Sequence, residues 1–199
     1  MLLFGLTGGI GAGKSSVSKL LRARGAVVLD ADEIVHSLQQ PGQPVLAAMV
    51  AEFGEEILHG DGTLNRPAVA AQVFRDDAKL AKLGAIVHPK VTETLISEVQ
   101  RLSETDHVVV LDIPLLVESG WPDLKGVIVV DVDPEIALHR ILSDRDITES
   151  DARARMDKQV SRSERLARAS FVVDNSGDRA HLTHEVDRLW AWIQGHSHG

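Results

Sequence analysis

A glycine-rich turn between an apolar run and a helical run limits the folds open to this chain more than any other feature. Residues 8–15 read Gly-Gly-Ile-Gly-Ala-Gly-Lys-Ser, which is the spacing of a phosphate-binding loop. Leu2–Leu6 predicts a short buried strand before this loop, and Val17, Leu20 and Leu21 follow at helical spacing after it. A chance match in an ordinary strand–helix turn is the alternative, but strand, loop and helix all stand in register. The pattern predicts an α/β core with a parallel sheet.

The composition of the loop predicts that a nucleoside triphosphate binds to it. Glycines let the backbone curl so that amide groups point inward around the α- and β-phosphates. The next helix directs the positive end of its dipole at the same anion. Lys14 is long enough to reach the β- and γ-phosphates, and the Ser15 hydroxyl is placed to ligate Mg²⁺.

Five strand-like runs alternate with helix-like runs, which is the pattern of βαβ units. They are Leu2–Leu6, Val27–Asp30, Val108–Asp112, Val127–Val132 and Phe171–Asp174. The third and fourth runs are continuously apolar, as is typical of central strands covered by helices on both faces. The sequence therefore predicts a three-layer α/β fold with a five-stranded, mainly parallel sheet.

Two segments without strand-like runs complete the expected organisation. Residues 33–105 contain several helical runs and predict an all-helical insertion. Residues 140–168 contain eight basic and six acidic residues, and the sequences at Thr148 and Ser161 resemble capping boxes. This segment predicts a basic helical hairpin, or lid. We expect a single domain whose core comprises residues 1–32, 106–139 and 169–199.

Composition excludes several classes of partner. The chain has 21 basic and 29 acidic residues and a formal charge of −8, which argues against general nucleic-acid binding. No apolar run approaches the roughly 20 residues of a membrane span, and no stretch resembles a secretory signal. Without cysteine, the chain has no disulfide and no thiolate metal site. We expect a cytoplasmic protein that binds neither membranes nor nucleic acids.

Acidic residues end two of the predicted strands, where open parallel sheets bind their ligands. Asp30 and Asp32 follow the second strand. Asp32 either accepts a proton or holds Mg²⁺ through water, or it simply caps the helix that begins at Glu33. Asp112 ends the third strand in the manner of a Walker-B acid, although strand ends also carry turn-forming aspartates. Both pairs of readings stay open at this point.

Three further segments carry local predictions. Asp174–Gly177 forms a turn-forming cluster after the last strand, with base binding as the less favoured reading. His88-Pro89 predicts a helix boundary, because a residue before proline avoids helical geometry. Residues 196–199 read as a frayed tail.

Three uses of a phosphate loop compete: a GTPase switch, a mechanical ATPase and a small-molecule kinase. A guanine-specific switch carries an N-K-x-D motif, but Asn65 and Asn175 are the only asparagines and neither precedes lysine. No separate module for a motor is visible. A kinase needs an acceptor-binding insertion and an arginine-rich lid that excludes water, and both are predicted.

Five motifs together closely resemble the dephospho-coenzyme A kinase family. They are Leu6–Ser15, Asp30–Asp32, His88-Pro89, Asp112–Glu118 and Asp174–Gly177. Many enzymes share the loop, but the ordered set at these spacings is highly specific and covers nearly the whole chain. The resemblance implies a P-loop kinase fold and ATP-dependent phosphorylation of the ribose 3′-hydroxyl of dephospho-coenzyme A, the last step of coenzyme A synthesis.

The resemblance also implies a role for each matching residue. ATP is bound by Gly8, Gly9, Gly11, Ala12, Gly13, Lys14, Ser15, Ser16, Arg140, Arg145 and Asn175, with Mg²⁺ on Ser15. The acceptor side comprises Thr7, Asp30, Asp32, His88, Asp112, Pro114, Leu115 and Leu116. Asp32 orients or deprotonates the acceptor hydroxyl, while Lys14 and Arg140 stabilise charge on the transferred group. A monomer or weak homo-oligomer is expected.

Two departures from the family pattern qualify these roles. The segment Asp144–Thr148 shifts its arginine by one residue, which weakens the assignment of Arg145 relative to Arg140. An acid at position 112 is not universal in the family, so Asp112 assists the metal without being indispensable. A kinase for another nucleoside or nucleotide, or a non-enzymatic nucleotide switch, is the remaining alternative.

Overall fold

Five strands form one sheet in a computed structural model that describes residues 1–73, 76–144 and 147–196. The strands are β1 (Leu2–Gly8), β2 (Val27–Asp30), β3 (Val108–Asp112), β4 (Gly126–Asp131) and β5 (Phe171–Asp174). Their order is β2-β3-β1-β4-β5, and β1 pairs in parallel with both β3 and β4, as β4 does with β5. The five-stranded, mainly parallel sheet predicted from the sequence is confirmed.

Helices connect these strands. They are α1 (Lys14–Ala23), α2 (Ala31–Leu38), α3 (Pro44–Phe53), α4 (Arg66–Val73), α5 (Asp77–Leu102), α6 (Leu116–Ser119), α7 (Pro134–Asp144), α8 (Glu149–Asp157), α9 (Arg162–Ala167) and α10 (Arg179–Gly195). A 3₁₀ turn covers Glu55–Ile57. Among the described residues, no helix combines the length and the apolar character needed to cross a membrane.

The chain divides into two compact units. The first comprises Met1–Leu29 and Leu102–Gly199, and the second comprises Asp30–Arg101. The first unit holds the sheet and the glycine-rich loop. The second holds helices α2 to α4 and nearly all of α5, and its only described β pairing is one isolated bridge between Leu58 and Leu64.

The core of the first unit is built from alternate residues of the central strands. Phe4 and Leu6 of β1 are fully buried in a cluster that includes Leu189 and Ile193 of α10. Gly5 points to the opposite face, where Leu116 of α6 packs directly against it. Helices therefore cover both faces of the sheet, as the continuously apolar strands predict.

Capping side chains begin several helices where the sequence predicts them. Thr148 accepts a hydrogen bond from the Asp151 amide and starts α8, and Ser161 accepts one from the Glu164 amide and starts α9. In the second unit, the Asn65 side chain accepts from the Ala68 amide at the start of α4. These caps satisfy amides that have no partner within their own helix.

The helix boundary predicted at His88-Pro89 is wrong. Pro89 lies inside α5, which runs through it without interruption. A proline in a helix interior costs about 3 kcal/mol, but Val87, Val91 and Leu95 place a buried stripe on both sides of it. Packing of that stripe outweighs the local preference.

The frayed tail is also wrong at its first residue. The His196 ring lies 4.5 Å from the Trp192 ring and 5.6 Å from the Phe4 ring, measured between centroids. Its Nδ1 atom also hydrogen-bonds to the Trp192 carbonyl. Aromatic packing thus holds His196 on the core, while residues 197–199 lie outside the described part.

Candidate phosphate-binding site

The glycine-rich loop follows β1 directly and is fixed by close backbone contacts. Gly8 pairs with Val130 of β4, and a Cβ atom at Gly8 would lie 2.8 Å from the Val130 carbonyl oxygen. Gly13 adopts a φ of 82° as the residue that precedes α1, a conformation that favours glycine. The amides of Lys14 and Ser15 therefore lie at the positive end of α1, as phosphate binding requires.

Lys14 is paired with a buried carboxylate. Its ammonium group contacts Oδ1 of Asp112, and the Ser18 hydroxyl donates to Oδ2 of the same residue at 2.5 Å. The Asp112 side chain is 1% exposed and that of Lys14 is 16% exposed. Asp112 thus ends β3 as predicted, but it faces the loop lysine rather than open solvent.

Asn175 holds the backbone of the loop by a side-chain hydrogen bond. Its side-chain amide donates to the Ala12 carbonyl at 2.7 Å, and its own carbonyl accepts from Nη2 of Arg140 at 2.9 Å. Nη1 of Arg140 is buried, has no hydrogen-bond partner among the described residues, and would lie 3.8 Å from a Cβ atom at Gly13. The structure therefore brings both predicted residues to the loop, Asn175 as its support and Arg140 with an unused donor.

The lid segment also reaches the loop. The Ile10 amide donates to Oε1 of Gln159 at 2.9 Å, between α8 and α9. A Cβ atom at Gly9 would lie 3.2 Å from Nη1 of Arg165, a residue of α9 that is only 8% exposed. Burial lowers the pKa of the Arg165 guanidinium, against the smaller attraction of Glu118 and Asp131. A cation is thus held in a poorly hydrated place beside the loop.

A cavity of about 320 Å³ opens between the loop, the end of β4 and the lid segment. Gly9, Ile10, Arg162 and Arg165 are among the residues that line it. Its volume is at the lower end of the ~300–1,000 Å³ found for small-molecule sites. Asp131 and Asp157 line the cavity as well, so its lining carries charges of both signs, and its size suits part of a small ligand.

Two polar contacts fix the lid segment near the sheet. Arg162 donates from Nε and Nη2 to both carboxylate oxygens of Asp131 at 2.9 and 2.7 Å, which raises the pKa of Arg162. The Val160 amide donates to Oε1 of Glu118 at 3.2 Å. A bidentate pair of this kind restrains orientation as well as distance.

The predicted acceptor residues of the first unit lie in different environments. The Thr7 hydroxyl is buried and donates to the Pro114 carbonyl at 3.0 Å, which holds the segment after β3. Leu116 is buried against Gly5, whereas Leu115 is 48% exposed and Pro114 is half-buried. Of these four residues, Leu115 offers the largest free apolar surface.

Asp30, Asp32 and His88 belong to the second unit. The Asp30 side chain accepts hydrogen bonds from the Asp32 and Glu33 amides and so caps α2. The capping alternative for Asp32 is therefore wrong, since Asp30 fills that role. Within the described residues, the exposed Asp32 carboxylate makes no hydrogen bond or ion pair. His88 is exposed, with its ring over Gly84 one turn earlier in α5.

Some of this arrangement has no clear signal in the sequence. Ser18 follows Lys14 by four residues, so helical spacing places the two side chains on one face of α1. Gln159 and Arg165 are brought to the loop by the fold of the lid, and no local motif marks them among the other polar residues of that segment. Arg145, predicted to bind ATP, lies outside the described residues.

No cluster of three or more metal-binding side chains occurs within the described ranges. The Ser15 hydroxyl is exposed at the start of α1. A single hydroxyl of this kind suits a hard cation that takes its other ligands from phosphates and water. The donor set fits Mg²⁺ carried with a nucleotide.

Comparisons with known proteins agree on one family. The model of the dephospho-CoA kinase family matches residues 2–181. A dephospho-CoA kinase of Streptomyces avermitilis is 47% identical over 199 residues, covering 100% of this chain and 97% of that protein. One from Thermobifida fusca is 44% identical over 199 residues, covering 100% and 99%. The solved structure of the Campylobacter jejuni dephospho-CoA kinase superimposes with a TM-score of 0.71 at 26% identity, covering 96% of each chain.

Proposed function

The chain belongs to the dephospho-CoA kinase family, and on that basis we propose that it transfers the γ-phosphoryl group of ATP to the ribose 3′-hydroxyl of dephospho-CoA. The bond between the γ-phosphorus and the β,γ-bridging oxygen breaks as a bond forms from the 3′-oxygen to that phosphorus. The hydroxyl proton passes to a carboxylate, and ADP leaves with the bridging oxygen.

The phosphate loop carries most of this proposal. Its curled backbone and the start of α1 present amides to the phosphates from residues 11–16. Arg140 adds a buried donor, Nη1, that has no partner within the described part of the chain and lies beside Gly13. Such an orphaned donor is costly unless a ligand satisfies it, which supports Arg140 as a contact of the bound nucleotide.

Lys14 stabilises the charge that develops on the transferred group. To do so it exchanges its contact with Asp112 for one with the β- and γ-phosphates. Asp112 stays in place during this exchange, because Ser18 holds its second oxygen. Before nucleotide binds, Lys14 therefore lies beside the loop with its ammonium group in contact with Asp112 and largely shielded from water.

Mg²⁺ accompanies the nucleotide in this proposal, held by the Ser15 hydroxyl and the phosphates. When bound, it neutralises charge on the β- and γ-phosphates. Asp112 contacts Lys14, the residue before Ser15, and so supplies a negative charge near the proposed Mg²⁺ site.

Asp32 takes the acceptor side. It follows the last residue of β2 by two positions, and Asp30 caps α2 in its place, so the Asp32 carboxylate is free to accept a proton. His88 and Leu115 are proposed contacts of the acceptor, and the unit Asp30–Arg101 is the proposed acceptor-binding part. The cytoplasmic location and the monomeric or weakly associated state stay predictions from the sequence.

An acceptor screen tests the proposal. ADP release is measured with ATP and Mg²⁺ in the presence of dephospho-CoA, adenosine or nucleoside monophosphates. Stimulation by dephospho-CoA alone is the expected result. No stimulation above background hydrolysis would overturn the proposed reaction, and stimulation by another acceptor would identify a different kinase.

Substitution of Asp32 tests its proposed role as the group that accepts the hydroxyl proton. Asp32→Asn is expected to lower turnover by about 10²–10⁴-fold, the usual contribution of a general base, with ATP affinity nearly unchanged. Asp106→Asn removes another exposed carboxylate, between α5 and β3, and serves as the matched control. Loss of ATP binding in the Asp32 variant would show that Asp32 is structural or bound to metal.

A further inference from the structure

The turn between β5 and α10, residues 174–177, carries a residue that holds the phosphate loop. The buried Asn175 side chain donates to the Ala12 carbonyl at 2.7 Å, and the Asn175 carbonyl accepts from Nη2 of Arg140 at 2.9 Å. A Cβ atom at Gly13 would collide with the same side chain. The path of this turn therefore decides where two groups lie, the second half of the loop and the Arg140 guanidinium.

Two side chains of α10 hold the two ends of the turn. Oε2 of Glu185 accepts from the Asp174 amide at 3.3 Å, while Oε1 accepts from Nη1 of Arg188 at 2.6 Å. Glu185 is only 5% exposed, and burial of a carboxylate is unfavourable unless it is paired and hydrogen-bonded. At the other end, a Cβ atom at Gly177 would lie 2.7 Å from the His181 ring. Helix α10 thus contacts the first and the last residue of the turn.

His181 also contacts the first residue of the turn through its side chain. Its Nε2 atom lies 3.2 Å from Oδ2 of Asp174, whose Oδ1 accepts from the Ser176 amide at 2.9 Å. Hydrogen bonding by Ser176 lowers the pKa of Asp174, so the carboxylate is charged at neutral pH and Nε2 donates to it. The His181 amide is held in turn by Asp178, which caps α10. One ring therefore spans the turn that carries Asn175.

The attachment of α10 to the fold does not depend on these polar contacts. Val186, Leu189 and Ile193 are fully buried in the core of the first unit and fix the helix there. His181 is half-buried, and a contact between partly exposed charged groups adds little to stability. The contacts of His181 instead select one conformation of the turn, which matters for the loop that Asn175 holds.

We propose that His181 is a positioning residue for the nucleotide. It acts through the turn on Asn175, and so keeps the Ala12 carbonyl and Arg140 in the arrangement that binds phosphate oxygens. His181 itself touches no phosphate and moves no proton. The inference rests on the proposed function for ATP as the ligand, but it does not depend on the acceptor.

Nucleotide affinity is the first measurement. Isothermal titration with β,γ-imido-ATP and Mg²⁺ compares the intact chain with His181→Ala, His181→Gln and His184→Ala. His184 is an exposed histidine three residues further along α10 and is the matched control. His181→Ala is expected to bind imido-ATP about three- to tenfold more weakly, the effect of one lost hydrogen bond, and His184→Ala within about twofold of the intact chain.

Rescue by glutamine tests the contact with Asp174. The amide nitrogen of a glutamine reaches about as far from the backbone as Nε2 of a histidine and also donates. His181→Gln is therefore expected to recover most of the affinity for imido-ATP. A glutamine variant no better than His181→Ala would contradict the hydrogen bond to Asp174 as the cause.

A double-mutant cycle tests whether His181 acts through Asn175. Imido-ATP affinity is measured for Asn175→Ala alone and combined with His181→Ala. If one residue positions the other, the loss in the double variant falls short of the product of the two single losses, here by at least about twofold. Losses that simply multiply would show that the two residues act independently, which overturns the inference.

Dephospho-CoA affinity separates positioning of the loop from a general loss of structure. His181→Ala is expected to bind dephospho-CoA within about twofold of the intact chain. Equal weakening of both ligands, or unchanged affinity for imido-ATP, would overturn the inference. If the intact chain binds imido-ATP but no dephospho-CoA, the proposed acceptor fails while the cycle still decides the role of His181.

Gly177→Ala provides a second route to the same test should His181→Ala fail to fold. The added methyl group displaces the His181 ring, since its place lies 2.7 Å from two ring atoms. Gly177→Ala is expected to weaken imido-ATP binding about three- to tenfold as well. A Gly177→Ala chain that binds imido-ATP as the intact chain does would remove His181 from the positioning of the loop.

Discussion

Lys14 and Asp112 depend on each other, because each would be a poorly solvated charge without its partner. Lys14→Met takes the contacting ammonium group away from the fully buried Asp112 carboxylate, while Ser18 still donates to it. Breaking one half of a buried pair typically costs about 3–5 kcal/mol. We expect Lys14→Met to lower the free energy of unfolding by that amount, measured by urea denaturation.

A double variant and a second lysine variant serve as controls for the effect of Lys14→Met. Adding Asp112→Asn to Lys14→Met removes the buried negative charge that has lost its ammonium partner, so the double variant is expected to regain most of the lost stability. Lys19→Met removes an exposed lysine from the same helix and should cost little. A double variant no more stable than Lys14→Met would contradict the charge pair as the cause.

Gly13 offers a second test at the level of one residue. Its φ of 82° is strained for any other residue, and a Cβ atom there would collide with the Asn175 side-chain amide. Gly13→Ala is therefore expected to displace Asn175 from the Ala12 carbonyl and to weaken ATP binding at least about tenfold. Isothermal titration with imido-ATP measures the affinity.

A variant at Gly25 separates backbone strain from collision with a neighbouring side chain. Its φ is 97°, but a Cβ atom there meets nothing within 4 Å. Gly25→Ala is expected to cost only backbone strain, on the order of 1–2 kcal/mol, and to leave ATP affinity unchanged. If both variants bind ATP equally well, the contact between Asn175 and the loop does not shape the site.

The sequence predicts the residues of the site better than their contacts. Lys14, Ser15 and Asp112 follow from local patterns, since a loop motif and an acid at the end of an apolar strand both have fixed places in such a fold. Capping of α2 by Asp32 is one of the two readings that the sequence leaves open, because both aspartates suit a helix start, whereas Asp30 is the residue that caps the helix. Arg165 could not be separated from seven other basic residues by spacing alone.

Helix α5 carries a proline that its packing tolerates rather than requires. Pro89 is exposed and has no amide to donate to the carbonyl four residues earlier. Pro89→Ala restores that bond and improves helix propensity, against a gain in unfolded-state entropy of about 1 kcal/mol. We expect a net stabilisation of about 1–2 kcal/mol, measured by urea denaturation.

Ser97→Ala is the matched control for Pro89, since Ser97 is also exposed in α5 and differs from alanine mainly in propensity. It is expected to stabilise by less than about 0.7 kcal/mol. A destabilised Pro89→Ala variant would mean that the proline itself fixes the path of α5.

The turn between β5 and α10 gives the chain an acid-sensitive element. Asp174 accepts from the Ser176 amide at 2.9 Å and lies 3.2 Å from Nε2 of His181. Hydrogen bonding by Ser176, then the contact with His181, lowers the pKa of Asp174 below its ordinary 3.8. Because the folded pKa is depressed, this stabilisation is present above the unfolded pKa and is lost as pH falls through the folded pKa.

The change that tests this element is Asp174→Asn. It is expected to be less stable than the intact chain near neutral pH, and the difference is expected to shrink as the pH falls and Asp174 takes up a proton. Thermal unfolding across this range gives the comparison. A difference that persists undiminished at about pH 2 would assign the effect to shape rather than to ionisation.

Elements are predicted well where one local signal agrees with packing. The strands were predicted to within two residues, because continuous apolar runs between turns leave few other arrangements. The error at Pro89 has a physical cause, since a local backbone preference of a few kcal/mol was weighed without the buried stripe on either side. The prediction of a frayed end at His196 is wrong for the same reason. Phe4 is distant in sequence, and no local pattern shows that Trp192, one helical turn earlier, packs against the His196 ring.

At the scale of the whole molecule, the first unit contains a core of its own. The cluster around Phe4, Leu6 and Ile193 draws every member from Met1–Leu29 or Leu102–Gly199. Lys14, Ser18 and Asp112 belong to the same unit, whereas Asp32 and His88 belong to Asp30–Arg101. The phosphate-binding residues and the proposed base therefore belong to different units.

Replacing residues 30–101 with a Gly/Ser linker tests that division. A flexible linker adds little closure entropy, about 0.6 kcal/mol for each doubling of its length, and leaves the core cluster whole. We expect the shortened chain to fold and to bind imido-ATP within about tenfold of the full chain. It should release no ADP in response to dephospho-CoA, because Asp32 is absent.

Full-length Asp32→Asn, which keeps both units, is the control: it is expected to bind imido-ATP as the shortened chain does and to show strongly reduced turnover. Acceptor-dependent turnover by the shortened chain would place the acceptor machinery in the first unit, and a chain that fails to fold by circular dichroism would show that the two units share one core.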